Sequence, residues 1–289
     1  MKVAIMTDSN SSITVEEGRE SGIYVLPLPV IVDEEVFIEG ETITSQKLYE
    51  SMNQGKSVRT SQPSPGELMD MWQSILDEGY DEIVYIPMTK RLSGSYESAL
   101  NFAREFNGKV QVVNNLRLSV MQYESVYDAK SMADTGMDAK SIKERLEKAS
   151  RNAFMVLTVD TLSYLKNGGR VSASKALVAT LANIKPILML IGEELEVQKK
   201  ARGLQVARNK LIDLVKEKGK ELYGSIPKEK LVVGVIDTFV EDSKARELVE
   251  KVKEVFPGYK ILNRKCPCSV ACHVGPNAIG VSITVTDRI

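Results

Sequence analysis

The chain has a single histidine, His273, in the stretch Cys272-His273-Val274-Gly275-Pro276. Two hydroxyl-rich loops lie far upstream, Thr60-Ser61-Gln62-Pro63-Ser64 and Leu92-Ser93-Gly94-Ser95. One imidazole and several hydroxyls, each beside turn-forming residues, can do either of two things. They can converge to hold a small anionic group by hydrogen bonds. They can instead form a nucleophilic enzyme in which Ser93 attacks and His273 acts as base. The enzyme reading asks more of the sequence: no GxSxG elbow is present, and no acidic residue near either partner is evident to orient the imidazole. At the level of residue types both readings stay open.

The loops differ in what they leave free. Ser64 is taken by a capping box, because Pro65 follows it and Glu67 stands three residues on. Thr60 and Ser61 are uncommitted and lie on the approach to a helix N-terminus, where free amides and the dipole favour an anion. In the second loop Ser93 or Ser95 reads as an N-cap, and Gly94 lets a ligand come close to the backbone. Neither GxxxxGK[ST] nor GxGxxG occurs, so this is not a P-loop or a dinucleotide fingerprint. Gly168-Gly169 suits a helix C-cap, while the fork of Arg170 suits a phosphate or a carboxylate, with a solvated arginine as the plain alternative. At the end of the first strand, Asp8 is either a rim residue or a turn residue, and Ser9 reads as satisfying turn amides.

The elements that must position these groups follow from the hydrophobic pattern. Short β-rich runs alternate with helical segments, which is the pattern of an α/β protein. Strands are expected over Val3–Met6, Glu82–Pro87, Val110–Val113, Phe154–Val159, Leu231–Ile236, Tyr259–Leu262 and Ile279–Val285, with a hairpin of Ile187–Ile191 and Leu195–Lys199 around Gly192-Glu193. The apolar run Tyr24–Val32 is broken by Pro27 and Pro29, so it belongs at an edge or is irregular. The helix from Pro65 puts Leu68, Met71, Trp72, Ile75 and Leu76 on one face. Further helices are expected over Val15–Ser21, from Thr44 or Ser45 to Met52, and over Ser95–Phe106, Leu118–Met132, Ala139–Ala149, Ser172–Ala182, Leu204–Leu222 and Asp242–Phe256. A short one is expected after an Asp160 cap. His273 is expected after a strand and just before a turn at Gly275-Pro276, with its imidazole tip facing a cleft. A division near residue 150 gives two α/β lobes, 1–150 and 151–289.

The bulk properties narrow the function. With 38 basic and 39 acidic side chains the net charge is −1, which gives no electrostatic reason to expect nucleic acid. No apolar run is long enough to span a membrane, and the N-terminal apolar stretch is too short for a signal peptide, so the protein is expected in the cytoplasm. Cys266, Cys268 and Cys272 lie next to His273. A metal site built from these eight consecutive residues, stiffened by Pro267, would be cramped, and the chain has no second Cys/His cluster. They read as small buried or loop thiols, unpaired in a reducing compartment.

Taken in order, Thr7-Asp8-Ser9, Thr60-Ser61-Gln62-Pro63-Ser64, Leu92-Ser93-Gly94-Ser95-Tyr96, Gly168-Gly169-Arg170-Val171-Ser172 and His273-Val274-Gly275-Pro276 resemble the signature loops of the DegV family. That family includes the fatty-acid-binding subunits of the bacterial fatty acid kinase. The resemblance spans essentially the whole chain. It implies two α/β lobes with a long-chain fatty acid buried between them and its carboxylate at their interface. It matches Thr60 and Ser93 to the hydroxyls that bond the carboxylate, His273 to the histidine at the same head group, and Ser61 and Gly94 to their neighbours. Arg170 matches an arginine near the opening that serves the encounter with the kinase catalytic subunit and phosphoryl transfer; Arg202 resembles another family arginine. The implied protein has no turnover alone and no cofactor. It passes an acyl phosphate to phospholipid synthesis, with at most transient membrane contact. A Ser/His hydrolase and a binder of another small amphiphile are the rivals. Two departures stand out: Asn277 occupies the place of a family glycine, and the three cysteines are foreign to the pattern.

Overall fold

A computed structural model describes residues 1–170 and 183–288. The chain begins β1 (Val3–Asp8), α1 (Val15–Ser21), β2 (Ile23–Leu26), β3 (Pro29–Val32), β4 (Glu35–Ile38), α2 (Ser45–Asn53), β5 (Val58–Thr60) and α3 (Pro65–Asp77). It continues β6 (Glu82–Ile86), α4 (Ser95–Phe102), β7 (Val110–Val112), α5 (Ser119–Asp134), α6 (Ala139–Ala149), β8 (Ala153–Thr158) and α7 (Ser163–Asn167). The last stretch is β9 (Ile184–Ile191), β10 (Glu194–Arg202), α8 (Leu204–Tyr223), β11 (Leu231–Asp237), α9 (Asp242–Val255), β12 (Lys260–Lys265), α10 (Cys268–Val274) and β13 (Ile279–Val285). This is the α/β class expected. The helix expected over Ser172–Ala182 lies outside the described residues.

The strands form three sheets. One is parallel, in the order β2-β1-β6-β7; one is a small antiparallel sheet, β4-β3-β5; the third has the order β10-β9-β8-β13-β11-β12 and is antiparallel except between β11 and β12. The two prolines explain the broken run Tyr24–Val32. β2 ends before Pro27 on the edge of the parallel sheet, and Pro29 opens β3, which leaves for the small sheet. A proline is tolerated at the first residue of a strand because no ladder donor is required of it there.

Helices cover both faces of the parallel sheet. On one side α3 and α4 pack Leu68, Trp72 and Ala99 on Ile83 and Tyr85, and Trp72 meets Tyr85 and Phe106 edge-on at centroid distances of 5.8 and 5.3 Å. The capping box at Ser64 and Glu67 starts α3 as its sequence requires. On the other side lie α1, α5 and α6. α8 and α9 cover one face of the six-stranded sheet. Its opposite face shares a core with β3, α2, α5 and α10, so residues from the first half of the chain and the last close over one another there.

α5 runs through the middle and is buried on both flanks, carrying Val120, Gln122, Glu124, Val126 and Asp128 out of water alike. Buried polar groups on such a helix must be paired. The Gln122 amide nitrogen meets this demand by donating to Thr7 Oγ1 (3.1 Å), Asp8 Oδ1 (3.0 Å) and the Ile86 carbonyl (3.0 Å). The preceding Arg117, 2 % exposed, donates to Ser125 Oγ and to the carbonyls of Ala149 and Ser150. The Gln122 bonds tie the ends of β1 and β6 together, and the segment after β6 lines the cavity described below through Met88 and Leu92.

Candidate functional site

His273 lies in the last turn of α10, a helix that stands where the sequence context suggests a preceding strand, and the expected turn follows at Gly275. Pro267 precedes the helix with φ −56°, and Gly275 ends it at φ +79°, its N–H reaching the Ala271 carbonyl at 2.9 Å. A side chain at Gly275 would be excluded twice over. The left-handed region is costly for it, and a Cβ would lie 2.4 Å from the Tyr164 ring. Thr238 secures the turn by donating to the Gly275 carbonyl and accepting from Ala278 N, both at 2.8 Å. Asn277 takes φ +59°, a value Asn tolerates better than most side chains, so the turn keeps its shape without the family glycine.

The imidazole faces Thr60, the last residue of β5, with Thr60 Oγ1 and His273 Nε2 3.0 Å apart. β5 is only three residues long and is held by pairing with β3, where Val30 stands opposite Thr60. On its other side the ring rests on the end of α7: a Cβ on Gly168 would lie 2.3 Å from His273 Nδ1. Gly168 therefore does more than end a helix. Its bare Cα is the seat of the imidazole. Burial, together with the positive charge of Arg170, depresses the His273 pKa to about 4, so the ring is neutral at pH 7.

The Ser93 loop approaches the same place. Ser93 Oγ accepts from Ser95 N at 3.2 Å and lies 2.8 Å from Ser95 Oγ, while Gly94 occupies the cap position of α4. The Gln62 amide packs over Gly94, where a Cβ would come within 2.5 Å of Nε2, and Ser98 holds it by donating to Oε1. Ser61 turns its hydroxyl onto the Gln62 carbonyl. Arg170 donates through Nε to the Leu92 carbonyl at 3.0 Å and through Nη1 to the Gly168 carbonyl, so it ties the Ser93 loop to the seat of the histidine.

Thr60, Ser61, Ser93, Gly94, Arg170 and His273 all line one cavity of about 420 Å³, whereas Asp8, Ser9 and Arg202 do not. Its remaining wall is largely apolar, with Leu28, Leu118, Met155, Leu157, Leu190 and Ile236 among the contributors. That is the composition of a small-molecule site: an apolar body with a few convergent polar groups. A second recess of about 630 Å³, lined by Lys56, Arg59, Asn167 and Arg170, has Thr60 and His273 in its wall as well. The Thr60–His273 pair thus stands between an apolar chamber and a basic one.

The first motif acts from behind. Asp8 is absent from the cavity wall and instead accepts from Met88 N (2.8 Å) and Gln122; burial raises its pKa to about 6. Ser9 accepts from Leu28 N at 3.0 Å and donates to Glu39 at 2.8 Å, a longer-range task than satisfying a turn. Met88 and Leu28, which these bonds fix, do line the cavity. Glu39 in turn accepts from Cys268 N at the start of α10, and so anchors the far end of the helix that carries His273. Nothing near Glu39 in sequence signals this, since both partners are distant along the chain. The expected Asp160 cap does not form: Leu162 holds the N-cap position of α7 without a side-chain hydrogen bond, the Thr161 hydroxyl accepts from Ser163 N, and Asp160 pairs with Lys185.

The three cysteines are buried and free. Burial raises all three thiols, Cys272 to about 12, so they are protonated at neutral pH and poor nucleophiles. Among the described residues no group of three or more His, Cys, Asp or Glu side chains could hold a metal ion, and no helix is long and apolar enough to cross a membrane. Among the same residues no hydrogen bond joins Ser93 to His273, and His273 Nδ1 faces Gly168 where a triad would need an acid.

A mostly apolar chamber with a few hydroxyls and an imidazole in its wall has the make-up of a small-molecule site, and comparison with known proteins identifies the family that shares the fold. Residues 2–286 match the model of the DegV family, described as uncharacterised proteins; the chain belongs to that family. A DegV domain-containing protein of Caldanaerobacter subterraneus is 29 % identical over 282 residues, covering 97 % of this chain and 98 % of that one. Among solved structures, a fatty-acid-binding DegV family protein from Thermus thermophilus superposes with a TM-score of 0.85 at 26 % identity, over 99 % of this chain and 100 % of that one. A DegV lipid-binding protein from Thermotoga maritima gives 0.83 at 25 % identity, with both chains fully covered.

Proposed function

We propose that this protein buries a long-chain fatty acid in the apolar chamber and presents its carboxylate to a separate kinase, which phosphorylates it to an acyl phosphate for phospholipid synthesis. The observation that carries the proposal is the Thr60–His273 pair, 3.0 Å apart, set between the apolar chamber and the basic recess. A carboxylate there would draw hydrogen bonds from Thr60, Ser93 and a neutral His273, with Ser61 and Gly94 shaping the approach. An oxygen held this way stays nucleophilic. The recess with Lys56, Arg59 and Arg170 would receive a phosphoryl group from the other side, and Arg170 serves the kinase encounter. The acyl tail would supply most of the affinity, at about 0.8 kcal/mol per buried methylene. Residues 1–150 and 151–289 form the two lobes that enclose the ligand, and exchange of lipid needs only passing membrane contact.

The test is mass spectrometry of the purified protein, native and then after denaturation and extraction. A stoichiometric single-chain acid supports the binding role; a protein that is empty and takes up none of a panel of fatty acids refutes it. The kinase role is tested separately. Arg170→Ala should retain lipid yet fail to be phosphorylated by a fatty acid kinase catalytic subunit. Loss of lipid from that variant would remove Arg170 from the kinase face.

A further inference from the structure

The apolar chamber crosses the six-stranded sheet. Its wall takes Leu195 from β10, Leu190 from β9, Met155 and Leu157 from β8, Gly280 from β13 and Ile236 from β11. Those five strands are adjacent in the sheet, and at about 4.8 Å per inter-strand step the chamber extends roughly 19 Å across them. Anything that fills it from the β11 side to the β10 side must pass over β13. The residue at that crossing is a glycine.

Glycine weakens a strand interior and often marks a place where something must come close to the backbone. The same sheet face holds two of them, and they differ in a telling way. At Gly234 on β11, opposite Ser282, a Cβ would meet Ser282 Oγ at 2.5 Å and Val120 Cγ2 at 2.6 Å, so α5 already fills the space. Gly234 does not line the chamber. At Gly280, which pairs with Ile236 on one side and Leu157 on the other, the three nearest atoms all belong to flanking strands: Ile236 Cγ1 at 3.0 Å, Met155 Sδ at 3.1 Å and Ile236 Cδ1 at 3.3 Å. None comes from the layer above, and the space over Gly280 is chamber. Its backbone is not left-handed, so no conformational demand explains the glycine. What remains is room.

We propose that Gly280 is the residue that sets acyl-chain selectivity: its missing side chain, between Ile236 and Met155, opens the crossing through which a long chain reaches both ends of the chamber. This rests on the fatty-acid reading above. A methyl group here would press on two flexible side chains, which can yield by a few tenths of an ångström, so Gly280→Ala keeps the fold and narrows the crossing. Gly280→Val closes it. Each methylene displaced from the chamber costs about fourfold in affinity, and displacing two or more costs more than tenfold.

The experiment measures dissociation constants for decanoate and palmitate with the wild type, Gly280→Ala and Gly280→Val, by displacement of a fluorescent fatty acid, with thermal unfolding as a check on folding. The expected result is a progressive loss of palmitate affinity, more than tenfold for Gly280→Val relative to decanoate. Unchanged selectivity in folded Gly280→Ala and Gly280→Val, or equal loss for both acids, overturns the proposal; should Gly280→Val fail to fold, Gly280→Ala alone decides. A wild type that binds neither acid refutes the fatty-acid reading itself, and is distinguishable from both.

Discussion

Replacing Gly168 by alanine tests the geometry of the head-group site directly. The added Cβ would sit 2.3 Å from His273 Nδ1 and 3.0 Å from Cε1, the first contact being roughly 1 Å inside ordinary van der Waals range. The imidazole has little space to retreat, because Thr60 Oγ1 already stands 3.0 Å from Nε2 on its other side. The ring must rotate out of the pair. The bound carboxylate then loses one charge-assisted hydrogen bond, about 1.5–3 kcal/mol, or roughly ten- to a hundredfold in Kd. Isothermal titration with a long-chain fatty acid reads this. Gly169→Ala is the control: its φ of +71° makes a side chain costly to stability by about 1 kcal/mol, yet nothing lies within 4 Å of the added carbon, so affinity should hold. If folded Gly168→Ala binds within twofold of the wild type, the seat assigned to the imidazole is wrong.

Two further outcomes follow from buried charge. In the ligand-free protein the His273 imidazole should titrate near pH 4 in an NMR experiment, well below its usual 6.5, because burial and then Arg170 disfavour the cation. With the sign worked through, the stability gained by keeping His273 neutral is complete above pH 6.5 and is lost as pH falls toward 4. Glu39, raised by burial to about 7, pulls the other way and costs stability as pH rises from 4.5 through 7. An imidazole midpoint of 6 or higher would show the ring to be solvated. Arg117→Ala should destabilise the protein by on the order of 3 kcal/mol, since it leaves the buried Ser150 carbonyl and Ser125 hydroxyl without their donor and removes the cation beside Asp128 and Glu124, lowering Tm by about 5 °C. Calorimetry showing a drop of under 2 °C would mean that water replaces the guanidinium.

The sequence disclosed what is encoded locally. The capping box at Ser64, the hairpin at Gly192-Glu193 and, among the described residues, most of the strands and amphipathic helices stand where their patterns placed them. α10 escaped notice because Cys-Ser-Val-Ala-Cys-His-Val has low helix propensity and lies largely buried, so no polar face marks its period. β5, Val-Arg-Thr, is too short for alternation to show and exists through its pairing with β3. At the site, the residue types were readable as hydroxyls and an imidazole, but no spacing could bring Thr60 within reach of His273, 213 positions away. The work of Glu39 and the seat at Gly168 were hidden for the same reason: each is defined by a partner that only folding delivers.

The chamber is also a gap in a shared core. Leu118, Met155, Leu157, Leu190 and Cys266 belong at once to its wall and to the apolar cluster that joins the small sheet, α2 and α10 to the six-stranded sheet. On the fatty-acid reading, an acyl chain in the chamber would complete the interior as a core side chain does. Such an occupant would raise resistance to unfolding with the logarithm of its free concentration over Kd, by about 1.4 kcal/mol for each tenfold excess. On that same reading, the lifetime of the polypeptide would then be a gauge of lipid supply, since protein without lipid would open more often.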